Sequence, residues 1–95
     1  MNIYITDEVY FGNITGDITI KRLSEDEVMK YINYIDKSKI IGAVHDLDTS
    51  KEFEKTFGIN PRGKNIYNFP KGKSDEILLV LMYSIPHEYF LIYYP

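Results

Sequence analysis

The chain has 95 residues, 11 basic against 14 acidic side chains, a formal net charge of −3 and no cysteine. That length holds one domain, residues 1–95, and the missing thiols exclude a disulfide framework, a thiolate nucleophile and a cysteine-bound zinc, in keeping with a reducing cytoplasm. Acidic and basic residues are mixed along the chain, so there is no basic stripe of the kind that grips long nucleic acid, whereas a small nucleotide needs only a few donors and a stacking surface.

The opening Met1-Asn2-Ile3-Tyr4-Ile5-Thr6-Asp7-Glu8 carries neither a basic cluster nor a long apolar core, so no signal peptide is expected. Ile3 to Ile5 reads as a first strand. Tyr10 to Asp17, with Gly12, Asn13 and Gly16, reads as loop. Asp17 to Leu23 alternates apolar Ile18 and Ile20 with Thr19 and Lys21, the pattern of a half-exposed strand. Ser24-Glu25-Asp26-Glu27 then has the form of a capping box, with acidic residues where a helix dipole favours them. Val28, Ile32 and Ile35 share one helical face beside Tyr31, which predicts a helix running to about Asp36 or Lys37.

Lys39 to Val44 is a short apolar strand. Thr49 to Glu52 repeats the capping-box pattern, Phe53 and Phe57 give a second helix its buried stripe, and Gly58 is the expected left-handed stop. Asn60-Pro61-Arg62-Gly63 is a turn, Asn65 to Phe69 a strand, and Pro70 to Asp75 a hairpin loop. Glu76 to Ile85 is apolar at nearly every position, which places it at the centre of a sheet covered on both faces. Pro86-His87-Glu88 turns the chain into a last strand, Tyr89 to Tyr94. Residues 77–94 are apolar enough to suggest a membrane span, but Ser84, Pro86, His87 and Glu88 interrupt them, so two strands are expected and no membrane partner. The order predicts an α/β fold: a single mixed β-sheet of five to six strands with two helices, in a chain small enough to gain from pairing as a homodimer. Nine tyrosines fit the β-propensity of these runs, with Tyr10 a candidate for stacking on a base.

Chemistry concentrates at Gly42-Ala43-Val44-His45-Asp46-Leu47-Asp48-Thr49, where a strand delivers a histidine to a helix start. Free N–H groups and the dipole favour an anionic group there, and an imidazole transfers protons near neutral pH. A histidine at a strand end is more often a structural hydrogen-bonding residue, and Asp46 and Asp48 repel an incoming phosphate unless they serve as caps or orient the ring. His45, Asp46 and Asp48 also make a weak metal pattern, too short to favour a metal or any cofactor. Arg62 and Lys64 are candidates for phosphate contact, and His87 and Glu88 for a role beside His45. There is no phosphate-binding glycine loop, dinucleotide fingerprint or serine elbow.

The chain resembles a family of small viral and phage proteins whose best-known members are the anti-CRISPR ring nucleases acting against type III systems. The resemblance rests on Gly42 to His45, Thr49, Phe57-Gly58, Lys64-Asn65 and Ser84-Ile85-Pro86, and spans nearly the whole chain. It implies a homodimer with a pocket across the two-fold axis, metal-independent chemistry in the host cytoplasm on cyclic tetra-adenylate, and His45 as the acid that protonates the leaving oxygen. Two arginines that grip the ligand in that family fall on Asn65 and Ser84 here, the histidine strand ends Gly-Ala-Val-His, Thr49 comes one residue late, and the turn glutamate corresponds to His87 or Glu88. Two lost charge-assisted contacts of about 1.5–3 kcal/mol each remove several decades of affinity for a ligand with four phosphates. The expectation is therefore a counter-defence protein that sequesters a nucleotide-derived immune messenger with fewer phosphates. His45, Asp48, Thr49 and Arg62 would hold it, with Lys64, Asn65, Ser84 and Tyr10. The alternatives are a ring nuclease, with His45 as general acid and Glu88 assisting, and a small inhibitor module that docks on a host protein through its tyrosines.

Overall fold

The computed structural model describes residues 2–10, 17–63, 67–68, 77–82 and 87–95. The chain runs β1 (Ile3–Thr6), β2 (Val9–Tyr10), β3 (Thr19–Leu23), α1 (Glu25–Tyr34), a single 3-10 turn (Lys37–Lys39), β4 (Ile40–Ala43), α2 (Leu47–Phe57), β5 (Tyr67–Asn68), β6 (Ile77–Met82) and β7 (Glu88–Tyr93). Five strands form one mixed sheet in the order β3-β7-β6-β1-β4, and β2 pairs with β5 in a separate two-stranded ribbon. β1 is parallel to both β4 and β6, while β7 is antiparallel to β6 and β3. The expected α/β architecture with two helices is therefore present, and the most apolar strand, β6, lies at the centre between β7 and β1.

Both helices cover the same face. Val28 and Ile32 of α1 and Phe53 and Phe57 of α2 join Ile3, Ile5, Leu79, Leu81 and Leu91 in one core. The Phe57 ring stacks edge-on against Tyr89 of β7, with centroids 5.6 Å apart. The other face carries a second apolar cluster of Ala43, Leu78, Val80 and Ile92, against which Val9 and Tyr4 pack. One cross-strand row on that face reads Ile20, Ile92, Leu78, Tyr4, Ile41 from edge to edge.

Local chemistry sets the helix ends. Ser24 Oγ accepts the Glu27 N–H and Glu27 Oε1 accepts the Ser24 N–H, the expected capping box. α1 stops at Tyr34, short of Asp36 or Lys37, because the Asp36 carboxylate accepts the Ser38 N–H and hydroxyl and starts the 3-10 turn instead. α2 begins at Leu47, two residues before the Thr49 to Glu52 pattern, because Asp46 is its N-cap. Gly58 closes α2 in the left-handed region, φ 76°.

The two sheet edges differ. Beyond α2 the chain returns along β4: the Val44 N–H donates to the Pro61 carbonyl and the Gly63 N–H donates to the Val44 carbonyl. The approach is close enough that a Cβ on Gly42 would lie 2.5 Å from the Pro61 carbonyl oxygen, and one on Gly63 would strike the Gly42 carbonyl. Backbone thus covers the edge just past β4, at Val44. Among the described residues nothing pairs with the outer edge of β3.

Candidate functional site

The strands β1 and β4 end side by side, and α2 starts from the second of them. Ligands of open α/β sheets bind in such crevices, outside the carboxyl ends of parallel strands. Asp7, the residue after β1, turns its carboxylate onto the next segment. Its Oδ1 accepts the His45 N–H at 3.1 Å and its Oδ2 accepts the Asp46 N–H at 3.0 Å. Just before it, the buried Thr6 hydroxyl lies 3.1 Å from the Ala43 carbonyl oxygen and accepts the Glu8 N–H. These contacts pin the end of β1 to the end of β4.

Asp46 is the second anchor. Its Oδ2 accepts the Thr49 hydroxyl at 2.7 Å and the Thr49 N–H at 2.9 Å. The Thr49 hydroxyl and then its N–H hold the Asp46 carboxyl below the usual aspartate range; desolvation opposes them, and the Arg62 charge adds the smallest lowering. The helix entrance expected to offer unpaired amides is thus largely occupied by the protein's own carboxylates: Asp7 takes two N–H groups before the helix and Asp46 takes one inside it. Among the described residues no hydrogen bond engages the N–H of Leu47 or Asp48.

His45 is half-buried between these anchors. Its Nε2 is shielded from solvent and has no hydrogen-bond partner. Buried polar atoms are nearly always paired, so this imidazole nitrogen stands out as a polar group left without a partner. Thr49 is buried through its bond to Asp46, Asp48 is exposed on the first turn of α2, and Arg62 is exposed beside Val44 and close enough to act on Asp46. His45, Asp48, Thr49 and Arg62 are therefore gathered at one end of the sheet.

Glu88 is not gathered with them. It starts β7 and pairs with Arg22 of β3 at 3.1 Å. Three strand spacings separate β7 from β4, about 14 Å at the usual interstrand distance. Tyr10 is the second residue of β2, opposite Asn68 of β5. Lys64, Asn65 and Ser84 lie outside the described residues. Among the described residues no group of acidic and histidine side chains is arranged to hold a metal ion, and no helix is long and apolar enough to cross a membrane. The residue that sequence reasoning missed is Asp7. Its only signal was an acidic residue directly after a strand, which says nothing about which amides it will meet. No protein-family model matches this chain, and no curated protein matches it.

Proposed function

We propose that this chain is a phage-type counter-defence protein that captures a nucleotide-derived immune second messenger in the host cytoplasm and holds it without cleaving it. The counter-defence role rests on the family resemblance, and the observation that supports a ligand at this site is the orphaned Nε2 of His45 at the carboxyl ends of two parallel strands. In the free protein that nitrogen costs about 1–3 kcal/mol, and a ligand hydroxyl or phosphate that bonds to it removes the cost. Arg62 and the N–H groups of Leu47 and Asp48 supply donors for one phosphate. Three carboxylates, Asp7, Asp46 and Asp48, crowd the same entrance and disfavour a ligand with many phosphates. Asp48, exposed and engaged in no hydrogen bond among the described residues, is suited to accept ribose hydroxyls. This favours a messenger of the ADP-ribose-derived or small cyclic nucleotide class over cyclic tetra-adenylate. Retention without turnover is supported by Glu88, whose carboxylate is committed to Arg22 far from His45.

The test is calorimetric titration of the protein with cyclic ADP-ribose, small cyclic dinucleotides and cyclic tetra-adenylate, followed by denaturation and mass spectrometry of what is released. The expected result is micromolar or tighter binding of a ligand with few phosphates, recovered intact, with at least tenfold weaker binding by His45→Ala. Recovery of a linear product overturns retention, and its loss in His45→Ala assigns His45 as the acid. Binding to none of these ligands overturns the reading.

A further inference from the structure

The outer edge of β3, with which no described residue pairs, carries a self-complementary sequence that starts two residues before the strand. Asp17-Ile18-Thr19-Ile20-Lys21 reads, about Thr19, as acid, isoleucine, threonine, isoleucine, base. If a second copy lies antiparallel along β3 with the axis at Thr19, each Lys21 stands opposite the partner's Asp17. Each Ile20 then stands opposite the partner's Ile18, and the two threonines face each other. Opposite charges, paired β-branched residues and threonine pairs are the combinations that stabilise directly opposed positions in antiparallel strands. Registers centred on Lys21 or Arg22 instead place like charges opposite each other, which is destabilising. A register centred on Ile20 keeps the alternation but sets Ile18 opposite Arg22 and Thr19 opposite Lys21, so it gives up the opposite-charge pair that the Thr19 register makes.

The surroundings of β3 fit the same occupant. Ile20 is 58% exposed although it continues the apolar row through Ile92 and Leu78. On the helix face an open groove of about 680 Å³ runs beside the strand, lined by Lys21, Lys30, Tyr31 and Tyr34, and Tyr34 is 90% exposed. The end of the opposite edge, at Val44, is already taken by Pro61 to Gly63.

We propose that two copies of this chain join through β3, antiparallel and centred on Thr19, to make one continuous ten-stranded sheet. The joint covers Ile20 and leaves each His45 at the far edge of its own subunit, so ligand capture needs no residue from the partner. This departs from the pocket across the two-fold axis that the family resemblance implies.

The experiment uses the full chain. Sedimentation and native mass spectrometry at micromolar concentration are expected to show a dimer, and a monomer overturns the proposal. The cysteine-free sequence makes cross-linking clean. Under mild oxidation Thr19→Cys is expected to give a covalent dimer, because the two residues are opposed. Lys21→Cys, four strand positions from its own copy, is expected to cross-link at least tenfold more slowly. Equal rates overturn the register. Lys21→Asp is expected to weaken the dimer at least tenfold, and the swap Asp17→Lys with Lys21→Asp to restore it. Failure of the swap to restore association in a variant with an unchanged melting curve also overturns the proposal.

Discussion

Asp7 and His45 are tied together across 38 positions of sequence by a carboxylate-to-amide bond of 3.1 Å, and the same carboxylate holds the next amide, that of Asp46, at 3.0 Å. Removing it leaves two N–H groups without their acceptor at the junction of β1, β4 and α2. Asp7→Ala is expected to cost about 2–3 kcal/mol of unfolding free energy in urea titrations, since hydrogen bonds to charged groups contribute about 1.5–3 kcal/mol each and this site is half open to water. A loss under about 0.5 kcal/mol would mean that the carboxylate does not hold the junction.

His45 gives the opposite sign. Replacing its ring with an apolar ring of similar size removes the orphaned nitrogen. His45→Phe is expected to raise the stability of the free protein by about 1 kcal/mol while abolishing stabilisation by ligand, the usual exchange between stability and a site built for binding. Thermal melts with and without the messenger read both effects. A destabilised free variant would show that the imidazole is there for packing.

Acid should act on Asp46 in a defined window. Hydrogen bonds from Thr49 keep its carboxyl below the ordinary aspartate value of 3.8 when folded. A group whose pKa is lower in the folded state contributes stability that is fully present above its unfolded value and is lost as pH falls through the folded one. The stability gap between the wild-type chain and Asp46→Asn is therefore expected to be constant near neutrality, to narrow once pH drops to about 3.8, and to close below the folded value. Denaturation of both proteins across that range checks it, and a gap that widens with acid contradicts the assignment.

Two glycines separate sterics from conformation. At Gly63 a Cβ would meet the backbone of Gly42 and Ala43, neither of which can swing aside. Gly63→Ala is expected to cost about 2–3 kcal/mol or to open the β4 edge, visible as faster amide exchange at Val44. Gly58 has open space around it but a φ of 76°, so Gly58→Ala should cost about 1–2 kcal/mol without opening that edge. Equal exchange at Val44 in both variants would show that Gly63 does not hold the contact with Val44.

Much of this architecture was legible because local rules were unopposed. Ile77 to Met82 is apolar at every position, and only a strand with both faces covered satisfies that. Ser24 and Glu27 form their capping box because neither side chain has a better partner. At the second helix two cap patterns overlapped, Asp46 with Thr49 and Thr49 with Glu52. The earlier one won because Asp46 reaches both donors of Thr49 while the new start buries Thr49 and Ser50 beside Phe53 and Phe57. β2 overlaps the expected loop at Tyr10 alone, and a strand of two residues leaves no alternation to detect. Within the site, the positions of His45 and Thr49 followed from the strand and helix that carry them. The contact from Asp7 did not, because it depends on β1 lying beside β4, a fact of topology rather than of any local pattern.

Growth of a β-structure needs a receptive border on each side of every unit. Here Pro61 to Gly63 crowd the end of one border at Val44, with Gly63 packed against Gly42, while no described residue lies along the other. If two units join at β3, a third would meet a border whose end is already taken by its own backbone, an obstacle to fibre growth that comes from geometry rather than charge.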